Sequence, residues 1–90
     1  MYCKTVTVSN PTGLHARPAA SLATKAASFE AKVEVRNVTK EGDFRDARSM
    51  IAIMTAQVAC GNDVELRAEG ADERAAVDAL VAFIEEGCGE

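Results

Sequence analysis

The sequence predicts a small α+β domain in which helices cover one face of a mainly antiparallel sheet. Segments with alternating apolar residues interleave with segments of helical spacing in the order βαββαβα, and turn residues separate them. Apolar residues make up 48% of the 90 positions, enough for one modest core. We therefore expect a single domain over residues 1–90.

The first strand and the first helix follow from two different periodicities. Apolar and polar residues alternate over Tyr2–Val8, as in a half-buried strand. Turn residues follow, and Pro18 is tolerated only in the first turn of a helix, so we expect the helix to begin near His15. The apolar positions at i, i+3, i+4 and i+7 that predict this amphipathic helix are Ala19, Leu22, Ala23 and Ala26.

The middle of the chain predicts a hairpin and a short helix. Alternation returns over Lys32–Arg36, and a polar turn leads to the charged stretch Asp43–Asp46, which is typical of an edge strand. Ser49 then stands in the N-cap position of a short helix over Met50–Thr55.

The last third predicts a fourth strand and a third helix. Val64–Ala68 alternates after a turn, and acidic residues follow Gly70 at the predicted start of the helix. Gly87 is expected to end that helix. Its apolar stripe consists of Val77, Leu80, Val81 and Ile84.

Composition argues against several classes of protein. The net charge of −4 and the absence of tryptophan argue against a nucleic-acid surface, including an RNA-binding sheet of similar element order. No apolar run approaches the roughly 20 residues of a membrane span, and no leader precedes the first strand, so we expect a cytoplasmic protein without direct membrane insertion. Cysteines 3, 60 and 88 with a single histidine form no conventional zinc site. We expect reduced thiols, no metal and no cofactor, with proteins or small anions as partners.

The single histidine, His15, directly precedes the predicted first helix. Unpaired N–H groups at a helix N-terminus attract anions, and Arg17 adds a full positive charge in the same turn. Neutral imidazole is a nucleophile toward phosphorus. We therefore predict that His15 accepts a phosphoryl group and that Arg17 stabilises it. The alternative is a histidine that acts only as a helix cap or a surface residue.

The short second helix has more apolar residues than one buried face can use. We expect Ile53 to contact the core, which leaves Met50, Ile51 and Met54 partly exposed. Such a patch suits docking to several protein surfaces, and an ordinary core helix is the competing interpretation. A phosphate on Ser49 would stabilise the helix and repel acidic partners, whereas a plain helix cap is the simpler role for this serine.

Two segments of the chain resemble the HPr family, the histidine-containing phosphocarriers of the bacterial phosphoenolpyruvate-dependent phosphotransferase system. Gly13–Ala19 is similar to the active-site motif of the family, and Ser49–Thr55 is similar to its regulatory-serine helix. The resemblance covers nearly the whole chain. It implies an open-faced β-sandwich of four antiparallel strands under three helices, and a carrier that is not an independent turnover enzyme.

The resemblance also implies roles for individual residues. His15 would accept phosphate at Nδ1 from phosphorylated enzyme I and pass it to a IIA-type domain for sugar uptake, with Arg17 holding the phosphate. Ser49 would match the serine phosphorylated by HPr kinase/phosphorylase, and a transcriptional regulator is a further implied partner. The implied partner-binding residues are Ala16, Arg17, Ala20, Met50, Ile51, Met54 and Thr55.

The sequence leaves two classes of function open: a phosphoryl carrier, and a purely regulatory module that binds a transcription factor or an enzyme. Residues 49–52 are also similar to the nitrogen-related branch of the family, so the branch, the acceptor and the sugar stay open. The presence of His15 argues against the catabolite-repression paralogue, which lacks this histidine. A carrier that docks by one exposed face is most simply a monomer. Cys60 has no predicted role.

Overall fold

The computed structural model describes residues 1–88 and shows the predicted order of elements. The two last positions of the predicted domain, Gly89 and Glu90, lie outside the described residues. The strands are β1 (Tyr2–Thr7), β2 (Lys32–Asn37), β3 (Arg45–Asp46) and β4 (Asp63–Glu69). The helices are α1 (Ala16–Ala27), α2 (Met50–Thr55) and α3 (Glu73–Glu85).

The four strands form one antiparallel sheet in the order β1-β4-β2-β3. In the register of the sheet, Val6 on β1 lies opposite Val64 on β4, and Val35 on β2 lies opposite Leu66 on β4. These alternate residues are buried and face the helices, with α3 packed on β1 and β4 and α1 packed on α2 and α3. The expected α+β fold with an antiparallel sheet under three helices is confirmed.

The core lies between the inner face of the sheet and the helices. Its largest fully buried side chains come from every layer, because each helix contributes one apolar stripe and each long strand contributes alternate residues. Burying one such side chain contributes roughly 1.5–3 kcal/mol. They include Leu22 of α1, Ile53 of α2, Leu66 of β4, and Leu80 and Ile84 of α3.

The outer face of the sheet carries charged pairs across neighbouring strands. Arg36 pairs with Glu65 at 2.8 Å, and Arg67 pairs with Glu34 at 2.9 Å. The ring of Phe44 lies 3.6 Å from the Arg67 guanidinium carbon, in a cation–π contact. These charged side chains are well solvated, so this face of the sheet can remain exposed to water while the helices pack on the opposite face.

The predicted edge strand over Asp43–Asp46 is longer than the observed one. Only Arg45 and Asp46 pair with β2. The turn before them closes with a hydrogen bond from the Gly42 N–H to the Asn37 carbonyl at 2.9 Å. Phe44 lies outside the ladder, and its ring lies over the guanidinium groups of Arg36 and Arg67 on the open face, long-range contacts that the local sequence does not reveal.

Two other element ends match or nearly match the predicted ones. β1 stops at Thr7, one residue before the predicted end, and Val8 is buried against the turn at Asn62, whose carbonyl accepts its N–H at 2.9 Å. Gly87 adopts a positive φ of 90° just past α3, as expected of a glycine that ends a helix.

Within residues 1–88, no helix has the length and apolar character needed to cross a membrane.

Candidate functional site

His15 is the N-cap residue of α1, as the sequence predicts. Its backbone is extended, and its carbonyl accepts the Ala19 N–H at 2.7 Å, which closes the first turn of the helix. Its side chain is exposed and makes no capping hydrogen bond. The imidazole is therefore held at the positive end of the helix while its ring nitrogens stay accessible to a reactant.

The first turn of α1 offers donors to an anion. Within residues 1–88, the N–H groups of Ala16 and Arg17 have no acceptor, as is usual at a helix start. Pro18 is the third helical residue and contributes no N–H, and no acidic residue lies in this turn. The turn therefore presents two free donors and a positive end without a competing carboxylate.

Arg17 lies in the same helical turn as His15, as expected from the sequence. Its side chain is exposed and forms no ion pair with any carboxylate of the described chain. The guanidinium is thus available to an external anion, and no ion pair within residues 1–88 holds it in one orientation.

His15 lines a cleft of about 540 Å³ between three segments of the chain. The loop before α1 contributes Leu14 and His15, the turn after β2 contributes Lys40, and α2 with the segment after it contributes Met54 and Cys60 among others. None of the described residues that line the cleft is acidic. The cleft is therefore a suitable place for the negative charge of a phosphoryl group.

Lys40 was not singled out by the sequence. Its ammonium donates a hydrogen bond to the Gln57 carbonyl at 2.7 Å, at the end of the short helix α2. It lies 25 positions after His15 (40 − 15) in a polar turn, and no spacing rule connects a turn lysine to a distant histidine. Only the packing of the turn against the end of α2 reveals it.

Asn37 is a second residue that sequence reasoning missed. It is only 1% exposed, and its amide donates to the Ala56 carbonyl at 3.2 Å and to Asn62 Oδ1 at 3.3 Å. Its own Oδ1 accepts the Lys40 N–H at 3.2 Å. Its signal was the alternation of β2, which turns Asn37 to the same inner face as Val33 and Val35. Asn37 thereby fixes the turn of Lys40 against the end of α2.

Ser49 is the N-cap of α2, as predicted. Its Oγ accepts the Ala52 N–H at 3.3 Å. Next to it, the pKa of the Asp46 carboxyl is lowered, first by the hydrogen bond from the Arg48 N–H, which outweighs the opposing effect of burial, and further by the Arg48 guanidinium. A cationic side chain therefore stands beside the serine, already paired with Asp46 at 3.2 Å.

The surplus apolar residues of α2 are exposed. Ile51 is 71% exposed, Met50 40% and Met54 37%, whereas Ile53 is fully buried. An ordinary core helix does not leave three large apolar side chains in water. Of the other predicted docking residues, Ala16 and Thr55 are exposed and Ala20 is half-buried. Because α1 packs on α2, these residues lie on two adjoining helices.

The described part of the chain offers no obvious metal site. No three His, Cys, Asp or Glu side chains within residues 1–88 lie close enough together to hold an ion. Cys3, Cys60 and Cys88 form no disulfide with one another, and the first two are exposed whereas the third is buried.

Comparisons with known proteins show the family to which the chain belongs. A family model described as "PTS HPr component phosphorylation site" matches residues 2–86. Phosphocarrier protein HPr of Treponema pallidum is 40% identical over 81 residues, which cover 89% of this chain and 88% of that protein. Phosphocarrier protein NPr of Proteus mirabilis is 36% identical over 85 residues, 94% of this chain and 92% of that protein.

Some relatives are much longer than this chain. The multiphosphoryl transfer protein of Haemophilus influenzae is 36% identical over 86 residues, which cover 96% of this chain but 17% of that protein. The chain thus spans about a sixth of its length.

The fold also matches solved structures of the family. A crystal structure of HPr-C-His from Thermoanaerobacter tengcongensis superposes with a TM-score of 0.91 at 42% identity and covers 100% of this chain and 98% of that one. The chain therefore belongs to the HPr family of phosphotransferase-system phosphocarriers, proteins that carry phosphoryl groups rather than turn over a substrate of their own.

Proposed function

We propose that this chain accepts a phosphoryl group on His15 from phosphorylated enzyme I and delivers it to a IIA-type domain for sugar uptake. The observation that carries the proposal is the exposed imidazole of His15 at the start of α1, free of any capping bond and next to two unpaired N–H groups. Ser49, by contrast, uses its side chain to satisfy such a donor at the start of α2.

The transfer step needs positioning and charge more than covalent machinery. The lone pair of Nδ1 on neutral His15 forms the new N–P bond, while the electron pair of the breaking bond returns to the donor. The free N–H groups of Ala16 and Arg17 and the Arg17 guanidinium then stabilise the phosphoryl oxygens, since charge-assisted hydrogen bonds contribute roughly 1.5–3 kcal/mol each. Delivery to the acceptor is the same displacement in reverse.

The surface around His15 supports docking of both partners at one place. The exposed apolar side chains of Met50, Ile51 and Met54 lie on α2, beside the exposed start of α1. Flexible methionines adapt to more than one partner surface, which suits a carrier that meets a donor and an acceptor in turn. In this proposal the chain acts in the cytoplasm. It is a monomer, because donor and acceptor dock on the same exposed face.

The test also decides whether the chain serves the sugar branch or the nitrogen-related branch of the phosphotransferase system. Relatives named HPr and NPr match the chain at similar identities, 40% and 36%. The chain is incubated with phosphoenolpyruvate, magnesium and either a sugar-type or a nitrogen-type enzyme I, and its intact mass is recorded. We expect one acid-labile phosphate with the sugar-type enzyme and none on His15→Ala. No adduct with either enzyme would overturn the carrier proposal, and an adduct with the nitrogen-type enzyme alone would move the chain to that branch.

A second candidate function rests on Ser49, which stands at the head of the exposed α2 patch. We propose that an ATP-dependent HPr kinase/phosphorylase modifies Ser49 and that the product regulates binding to a transcriptional regulator. Phosphate at this position would add negative charge beside Arg48 and in front of the apolar patch. The test is ATP-dependent mass gain on the parent chain and its absence on Ser49→Ala, with His15→Ala as the control that should still gain mass. No incorporation with a competent kinase would refute the switch.

A further inference from the structure

The cleft that contains His15 has a cation of its own. Lys40 lies in the turn after β2 and lines the cleft together with His15, and no described lining residue is acidic. Arg17, the cation that the sequence singled out, is not among these lining residues. A doubly charged phosphoryl group on His15 would therefore meet Lys40 as the cationic side chain of the cleft wall.

The structure holds Lys40 at this wall. Its N–H donates to the buried Oδ1 of Asn37 at 3.2 Å, and its ammonium donates to the Gln57 carbonyl at 2.7 Å. The amide of Asn37 also donates to the Ala56 carbonyl, so the turn and the end of α2 form one packed unit. Lys40 is therefore presented to the cleft by a built arrangement, unlike a lysine on a mobile surface loop.

The ammonium of Lys40 keeps donors in reserve. An ammonium has three N–H donors, and one of them is used by Gln57. Within residues 1–88 it has no carboxylate partner, whereas Lys4 is paired with Asp78 at 2.9 Å. Lysine binds phosphate as a compact point charge and does not need the two-pronged geometry of arginine.

We infer that the Lys40 ammonium stabilises the phosphorylated form of His15 across the cleft. This inference rests on the proposed carrier function. No covalent change occurs at Lys40: the N–P bond forms at His15 as described above, and Lys40 contributes charge to the product. Arg17 would hold the phosphoryl group from the solvent side of the helix start, and Lys40 from the wall of the cleft.

The experiment compares the phosphorylation equilibrium of four chains. Each chain is mixed with phosphorylated sugar-type enzyme I, and the ratio of phosphorylated to free chain is measured by intact mass at low and high salt. Lys40→Gln removes the charge and keeps an N–H donor for the Gln57 carbonyl. Lys40→Arg keeps the charge. Lys32→Gln is the matched control, because Lys32 is an exposed lysine at the opposite end of β2 from Asn37.

We expect Lys40→Gln to lower this ratio roughly fivefold at low salt, the upper end of the range for a charge pair near a protein surface. At about 0.5 M salt the deficit should shrink to within about twofold, because ions screen the interaction. Lys40→Arg and Lys32→Gln should match the parent chain within about twofold at both salt concentrations. A purely structural lysine would lower the melting temperature without this salt-dependent change in the ratio.

Two results would count against the inference in different ways. If the parent chain is phosphorylated and Lys40→Gln gives the same ratio as Lys32→Gln, the role of Lys40 is refuted and the carrier function stands. If the parent chain itself accepts no phosphate from either type of enzyme I, the proposed function and this inference both fall.

Discussion

Leu14 donates its backbone N–H to the carbonyl of Val58 at 3.0 Å. This bond joins the residue just before His15 to the segment just after α2, and Leu14 itself is only 2% exposed. The two segments that the sequence distinguishes, around His15 and after Ser49, are thereby one structural unit. A change at the end of α2 is consequently expected to reach the position of His15.

Gly13 is the tightest point of that unit. Its φ is +64°, and a Cβ there would overlap the Val58 carbonyl. We expect Gly13→Ala to lower the free energy of unfolding by about 3 kcal/mol or more, because backbone strain and overpacking add. Urea unfolding measures the loss. Gly61→Ala is the matched control: Gly61 has a φ of +91° with nothing within 4 Å of the added Cβ, so strain alone should cost about 1–2 kcal/mol. Equal losses for both variants would contradict the close packing.

Gln57 is a non-glycine residue in a position that favours glycine. Its φ is +53°, and it follows the C-cap Ala56 of α2. We expect Gln57→Gly to raise the free energy of unfolding by about 1 kcal/mol, because glycine adopts this conformation without steric cost. The carbonyl that binds Lys40 is kept. Gln57→Ala should leave the urea midpoint nearly unchanged, and a destabilised Gln57→Gly chain would show that the Gln57 side chain matters more than its backbone.

The long elements were predictable from local patterns, whereas the contacts between them were not. Alternation located β1, β2 and β4 to within a residue or two at each end, and the i, i+3, i+4 spacing located α1 and α3, because both signals record which face of one element is buried. The placement of His15 and Ser49 at helix starts followed from the same local chemistry. The position of Lys40 in the same cleft as His15 could not be predicted, because it depends on how a turn packs against α2.

Substitution of Arg17 is expected to slow phosphoryl transfer without destabilising the fold. It is exposed and has no ion pair within residues 1–88, so Arg17→Gln should change the free energy of unfolding by no more than about 0.5 kcal/mol. The same variant should lose about tenfold or more in kcat/KM for phosphoryl acceptance from enzyme I, because the proposed charge-assisted hydrogen bond from Arg17 to the phosphate would be lost. Time courses of phosphoryl transfer from enzyme I to Arg17→Gln and Arg17→Lys test this prediction. We expect Arg17→Lys to recover part of the rate. An unchanged rate in both would remove Arg17 from the site.

Asp72 makes the stability of the fold depend on pH. Its pKa is lowered from the ordinary value of 3.8, first by the hydrogen bond from the Glu30 N–H, which outweighs the opposing effect of burial, and further by the hydrogen bond from the Ala31 N–H. The two bonds are 2.9 Å and 2.7 Å long and join the loop after α1 to the start of α3.

A carboxyl whose pKa is lower in the folded chain stabilises the fold above its unfolded pKa, and this contribution is lost as the pH falls through the folded pKa. We therefore expect Asp72→Asn to be less stable than the parent chain at about pH 7, and the two chains to converge as the pH falls below 3.8 and through the lower pKa of the folded chain, where Asp72 becomes protonated. Urea midpoints recorded across this range measure the difference. Parallel curves, with the same gap at every pH, would show that Asp72 acts by hydrogen-bond geometry alone and that its charge contributes nothing.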